Sequence, residues 1–158
     1  MSTFELAIPT VLRREGGYVW DPADPGGETN FGLSKRTYPD LDIKNLTSAV
    51  ASTIYRRDWW DRYGYGRVID QTIATKLLDT AVNLGAEYAH KVAQEAAGAT
   101  PDGVLGTESI YALNQSQASP LLHRMQDLQA ARYRAIVSAN PERARFLAGW
   151  LNRAYDRA

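Results

Sequence analysis

The stretch RREGGYVWDPADPGGETNFG, residues 13–32, decides the fold of the N-terminal part of the chain. Apolar residues before it recur at helical spacing up to Glu15, and two glycines then end the helix. The segment that follows is dense in Asp, Pro and Gly, which form turns. The pattern predicts a helix that carries a carboxyl group to its end, followed by a small irregular or β-hairpin insertion over residues 18–33.

Outside this insertion, helical periodicity dominates the sequence. Thr47 is expected to cap one helix that runs to about Trp60, and the next helix begins after Asp70 and ends at Gly85. Pro120 marks the start of a later helix. The chain of 158 residues is long enough to bury a real core without disulfides. These features predict an all-α fold, with residues 1–158 forming a single compact unit.

The composition argues against several classes of protein. There is no cysteine, which excludes disulfides and thiolate chemistry. The only two histidines, His90 and His123, are expected on helix surfaces, so no metal site and no cofactor are predicted. The formal net charge of zero argues against a nucleic-acid-binding protein.

Charge and hydropathy also suggest where the protein works. Residues 1–119 hold 11 basic and 15 acidic side chains, a net charge of −4, whereas residues 120–158 hold 7 and 3, a net charge of +4. A basic C-terminal segment favours an anionic polymer as partner. Residues 1–20 lack the pattern of a secretory signal, and no apolar run is long enough to insert into a membrane. We therefore expect synthesis in the cytoplasm.

Glu15 is the leading candidate for chemistry. It lies on the apolar side of its helix, where loss of hydration disfavours the charged form of a carboxyl group and suits a general acid. Asp21 and Asp24 follow in a polar loop, where carboxylates stay ionised, and this pairing is the apparatus of glycoside hydrolysis. The alternative is that the loop only turns the chain. Further candidates are Thr29 and Asn30, which can bind water or a sugar hydroxyl, and Tyr18, Trp20 and Phe31, whose rings can contact sugars.

The motifs of the chain resemble those of glycoside hydrolase family 108, a family of small muramidases. The resemblance rests on EGGY (residues 15–18) and DPADPGGETNFG (residues 21–32). It continues in IYRRDWWD (residues 54–61), DTAVNLG (residues 79–85), DGVLGTES (residues 102–109) and FLAGWLNRA (residues 146–154). These motifs span nearly the whole chain, in order.

This resemblance implies hydrolysis of the β-1,4 bond between N-acetylmuramic acid and N-acetylglucosamine in peptidoglycan, with Glu15 as the essential acid. The Glu–Asp–Thr arrangement of phage-type lysozymes is similar and points to Asp24 and Thr29, although the spacing to Thr29 differs, so Asp21 stays an alternative to Asp24. Asn83 could bind an N-acetyl group. The resemblance also implies a lysozyme-like catalytic lobe over residues 1–92 and a peptidoglycan-binding-like helical region over residues 93–158.

The biological setting that the resemblance favours is a phage endolysin. Such a protein is expected to be a monomer that waits in the host cytoplasm until a holin opens the membrane, and then acts on the cell wall in the periplasm. A bacterial muramidase that remodels the wall for protein secretion is an alternative. So is a non-catalytic peptidoglycan-binding module on a lysozyme-like fold.

Overall fold

A computed structural model describes residues 1–20 and 27–156, so Asp21 and Asp24 lie outside the described residues. The fold is helical with one small sheet, as the sequence predicted. The α-helices of the described residues are α1 (Phe4–Glu15), α2 (Ser48–Tyr55), α3 (Gln71–Leu84), α4 (Ala86–Ala96), α5 (Thr107–Gln115), α6 (Ala118–Ala139) and α7 (Leu147–Tyr155). A π-helix (Arg56–Asp61) and two 3-10 helices (Tyr65–Arg67, Pro141–Phe146) complete the helical elements.

The predicted insertion is a three-stranded antiparallel sheet. Its strands are β1 (Val19–Trp20), β2 (Glu28–Asn30) and β3 (Leu33–Ser34), with β2 in the centre. Thr29 pairs with Val19 on one side and with Ser34 on the other. Phe31 and Gly32, the two residues between β2 and β3, have φ values of 49° and 75°, the left-handed backbone of a tight hairpin turn.

Side-chain caps predicted from the sequence mark the start of α2 and α3. The Thr47 side chain accepts a hydrogen bond from the Val50 amide, and the Asp70 side chain accepts one from the Ile73 amide. The α-helix that starts after Thr47 was expected to reach Trp60, but it changes to a π-helix at Arg56. This wider winding brings Trp60 into the core, where it is 5% exposed.

The main core joins both halves of the chain. One cluster of buried apolar residues runs from Phe4 in α1 to Met125 in α6, and α3 lies at its centre with nine buried residues in succession. A smaller cluster joins α6 to α7 through Tyr133 and Ala154. No helix in the described part of the chain is long and apolar enough to cross a membrane.

The prediction of two surface histidines was wrong for His90. His123 is exposed, but His90 is 3% exposed, with Nδ1 2.8 Å from the Gly103 carbonyl and Nε2 3.0 Å from the Tyr65 hydroxyl. Because a carbonyl only accepts, Nδ1 donates there and Nε2 accepts from Tyr65. Burial lowers the pKa of His90. Tertiary packing thus holds this ring neutral.

Candidate active site

Glu15 is the last residue of α1, and its side chain is largely buried. Only 18% of that side chain is exposed. Gly16 follows with a φ of 75°, which ends the helix and turns the chain toward the sheet. The carboxyl group therefore stands where the first helix meets the insertion, as the sequence predicted.

The immediate partner of Glu15 is a cation rather than an apolar wall. Nη2 of Arg153, from α7, donates to Glu15 Oε1 over 2.7 Å. The same nitrogen lies 2.8 Å from Oδ1 of Asp79, whose side chain is fully buried in α3. Arg14 donates to the other Asp79 oxygen. We call these four residues (Arg14, Glu15, Asp79 and Arg153) the ionic junction.

Two further charged groups border the ionic junction. Asp156 accepts a hydrogen bond from Arg14 over 2.6 Å, and this contact holds the pKa of Asp156 below its usual value. Lys76, which is fully buried on α3, donates to the carbonyls of Arg153 (3.2 Å) and Ala154 (2.6 Å). Burial lowers the pKa of Lys76 to about 8. The end of α7 is therefore bound to α3 through both backbone and side chain.

The turn between β2 and β3 closes directly over Glu15. A Cβ atom at Gly32 would lie 2.7 Å from Glu15 Oε2 and 2.7 Å from the Tyr55 hydroxyl oxygen. Only glycine fits this approach, and its positive φ favours glycine as well. Tyr55 donates to the Phe31 carbonyl over 2.8 Å, and burial followed by the Glu15 charge raises the pKa of Tyr55, so the phenol keeps its proton.

The predicted polar residues of the insertion have different environments. Thr29 is half-buried in the central strand. Asn30 is 5% exposed, and its amide donates to the carbonyls of Ile43 (3.0 Å) and Leu46 (3.4 Å). Asn30 therefore fastens the sheet to the loop behind it, and its donors are already used inside the protein.

The predicted aromatic residues also divide into two groups. Tyr18 and Trp20 are 41% and 65% exposed, so their rings are open to a ligand. The Tyr18 hydroxyl donates to Glu28 Oε2 over 3.2 Å. Phe31 is half-buried and packs against the main core, so it shapes the turn over Glu15.

Asn83 lies near the end of α3 and contacts the C-terminal helices. Its side-chain oxygen accepts a hydrogen bond from the Tyr133 hydroxyl over 2.5 Å. The Tyr133 ring stacks on Trp150 of α7 at 5.3 Å between centroids, and Trp150 stacks on Phe146 at 5.8 Å. Asn83 thus supports an aromatic stack on the same side as α7.

An open cleft of about 640 Å³ adjoins the ionic junction. Its lining includes Arg14 and Arg153 from the junction, together with Trp150, Asn152 and Tyr155 from α7. The cleft therefore presents two cations, two aromatic rings and the carboxylate of Asp156 near the helix end that carries Glu15. Within residues 1–20 and 27–156, no group of three His, Asp or Glu side chains is arranged to hold a metal ion.

Sequence reasoning missed three of the four residues of the ionic junction, Arg14, Asp79 and Arg153. Asp79 carries a detectable signal, because it stands among the apolar residues of the α3 core face, and a buried carboxylate requires a cationic partner. Arg153 lies in the motif FLAGWLNRA, but neither its residue type nor that of Arg14 indicates a contact with Glu15 or Asp79.

Comparison with known proteins places this geometry in a family. Residues 8–85 match the model of glycosyl hydrolase 108, and residues 88–155 match that of a predicted peptidoglycan domain. The chain belongs to the glycosyl hydrolase 108 family. The resemblance found in the sequence motifs is thereby confirmed, and no curated protein matches the chain.

One solved structure resembles this glycosyl hydrolase 108 member over nearly its whole length. It is described as the structure of Brucella abortus SagA. The two chains are 27% identical, with a TM-score of 0.71, and the match covers 97% of this chain and 96% of the other. The lysozyme-like helical fold with its small sheet is therefore shared, and the family and the second region make the protein a glycosidase directed at peptidoglycan.

Proposed function

We propose that the protein is a muramidase that hydrolyses the β-1,4 bond between N-acetylmuramic acid and N-acetylglucosamine, with Glu15 as general acid. The observation that carries the proposal is the position of Glu15: a largely buried carboxyl group at a helix end, bound to Arg153, which lines an open cleft, and under a hairpin turn that approaches Oε2. A carboxyl group so placed can protonate the glycosidic oxygen as the sugar ring becomes an oxocarbenium ion.

The remaining catalytic roles belong to the insertion. Asp24, with Asp21 as the alternative, supplies the ionised carboxylate that stabilises the developing charge or orients water, and Thr29 helps to position that water. Tyr18 and Trp20, which are exposed, contact sugar rings. We assign Asn30, Phe31 and Asn83 to the substrate region as well. Their internal contacts indicate that they act by holding the sheet and the α3 end in place.

The test compares Glu15→Gln with Glu5→Gln. Both glutamates lie on α1, but the Glu5 side chain is 64% exposed and forms a surface ion pair with Arg56. Glutamine is nearly isosteric and still accepts from Arg153, so Glu15→Gln should fold normally and lose peptidoglycan hydrolysis, whereas Glu5→Gln should keep it. Full activity in folded Glu15→Gln would refute the role of Glu15.

Mass analysis of the products identifies the bond that is cut. Reducing ends of N-acetylmuramic acid support a muramidase, whereas reducing ends of N-acetylglucosamine indicate a glucosaminidase and free peptide amines indicate a peptidase or amidase. No released product, with retained binding to the wall, would indicate a non-catalytic module. Parallel assays of Asp24→Asn and Asp21→Asn decide the second carboxylate: the catalytic one should lose most activity.

The proposal extends to an endolysin that acts as a monomer. It would remain in the host cytoplasm until a holin opens the membrane, and then reach the peptidoglycan of the periplasm; residues 93–158 would hold the glycan and residues 1–92 would cut it. Expression in bacteria tests this: cultures should keep their turbidity until the membrane is permeabilised, and then lyse. Wall remodelling without lysis after permeabilisation would favour a role in protein secretion.

A further inference from the structure

The two oxygens of the Glu15 carboxyl group face different surroundings. Oε1 accepts the hydrogen bond from Arg153 Nη2 at 2.7 Å. Oε2 points toward the turn, where a Cβ atom at Gly32 would lie only 2.7 Å away. Because Oε1 is already occupied by a cationic donor, Oε2 is the oxygen left to carry a proton.

Arg153 is itself held firmly enough to fix that orientation. Its side chain is 14% exposed, and its guanidinium spans Asp79, with Nη2 2.8 Å from Oδ1 and Nε 3.4 Å from Oδ2. Its carbonyl accepts a hydrogen bond from Lys76. Because the Nε–Nη2 edge of the planar guanidinium is bound side-on to a buried carboxylate, Arg153 has little freedom to leave Glu15.

This contact crosses the boundary between the two family regions. Glu15 lies within residues 8–85, which match the hydrolase model, and Arg153 lies within residues 88–155, which match the peptidoglycan domain. The last helix of the second region therefore completes the site of the first.

We propose that Arg153 is a positioning residue that fixes Oε1 of Glu15 and leaves Oε2 as the oxygen from which the proton is donated. The proposal rests on the proposed function, in which Glu15 is the general acid. It assigns to the C-terminal region a part in catalysis besides any binding of the wall.

The orientation of the carboxyl group matters because a general acid has to lie within hydrogen-bond reach of the oxygen that it protonates. The contact of 2.7 Å between Arg153 Nη2 and Oε1 restricts the rotation of that group. The other charged or titratable described groups that face this pair are Arg14 from α1, Tyr55 from α2, Lys76 and Asp79 from α3, and Asp156 after α7.

The experiment compares Arg153→Met, Arg153→Lys and the control Arg57→Met, at a π-helix arginine whose side chain is 68% exposed. Values of kcat and KM for purified peptidoglycan are measured for each variant, and folding is checked by thermal unfolding. Arg153→Met should lower kcat roughly 10–100-fold by loss of orientation, with little change in KM. Arg153→Lys, which keeps a cationic donor, should have an intermediate kcat. Arg57→Met should behave as the unchanged protein.

Two outcomes would overturn the proposal. One is a folded Arg153→Met variant with unchanged kcat. The other is lower activity that a smaller folded fraction accounts for in full, with kcat per folded molecule unchanged. If Arg153→Met does not fold, Arg153→Lys tests the proposal. Full kcat in that variant would show that the paired donors of the guanidinium are not needed to orient Glu15. An inactive Glu15→Gln variant together with an Arg153→Met variant of normal kcat would refute only this proposal. An active Glu15→Gln variant would refute the proposed function.

Discussion

Two junctions tie the halves of this protein together, and they use different chemistry. The ionic junction joins α1, α3 and α7 through Arg14, Glu15, Asp79 and Arg153. The second, which we call the neutral junction, joins Tyr65, His90, Gln94 and Gly103. Gln94 accepts from the Gly103 amide over 2.9 Å and donates to Asp102 over 2.6 Å, while His90 bridges Tyr65 and Gly103.

The comparison shows that the free-energy cost of burying charge is concentrated in one of the two junctions, the ionic one. The buried side chains that hold the 99–106 loop against α4 are uncharged, and the one carboxylate that they contact, Asp102, is exposed. A buried carboxylate such as Asp79 costs more, since desolvation must be offset by its cations. Clusters of this kind concentrate at functional sites, and here the charged cluster includes Glu15, while its two arginines line the 640 Å³ cleft.

Breaking the ionic junction at its centre should have the largest effect. Asp79→Asn removes the charge that Arg14 and Arg153 share, so two largely buried cations lose their common partner. We expect the free energy of unfolding to fall by about 3–5 kcal/mol. The rate of hydrolysis should also fall, because Arg153 no longer holds its position. Denaturant unfolding and activity assays measure both effects.

The matched control for that change is Asp61→Asn. Asp61 is 60% exposed and its ion pair with Arg56 is long, at 3.8 Å, so its loss should cost less than about 0.5 kcal/mol. Equal stability losses in the two variants would contradict the special position of Asp79.

Breaking the neutral junction should lower the free energy of unfolding without changing the hydrolytic activity of the folded protein. Gln94→Met keeps the side-chain volume but leaves the buried Gly103 amide without its acceptor, which should cost about 1–3 kcal/mol. The pH profile of hydrolysis in the folded fraction should stay unchanged. Gln115→Met, on the exposed face of α5, is the control for stability. A shifted pH profile in Gln94→Met would show that the two junctions are coupled.

The smallest expected effect is a pH dependence of stability that comes from His90. Because burial lowers the pKa of His90 below 6.5, the unfolded chain takes up a proton at a higher pH than the native protein does. The contribution of the buried, neutral His90 to the free energy of unfolding is therefore complete above about pH 6.5, and it is lost as the pH falls below that value. Denaturant unfolding at several pH values should give a shallower acid slope for His90→Gln than for the exposed control His123→Gln. Identical acid slopes for the two variants would contradict the burial of His90 in the native protein.

Local sequence signals account for much of the architecture. Helical periodicity, the caps at Thr47 and Asp70, and the turn residues of the insertion are all short-range features, and each forms the predicted kind of element. The place of Glu15 at the end of α1 follows from the same local pattern. The change to a π-helix at Arg56 was missed, because it depends on the packing of Trp60 in the core.

The sequence by itself therefore determined the helical class, the small sheet after α1 and the carboxyl group at the helix end, because neighbouring residues encode these features. Only the tertiary structure decided which groups surround that carboxyl. Arg153 lies 138 positions away along the chain, and His90 becomes buried only when the Gly103 loop and Tyr65 close over it. Charges and hydrogen bonds act over a few ångströms in space, so partners this distant in sequence become visible only once the chain has folded.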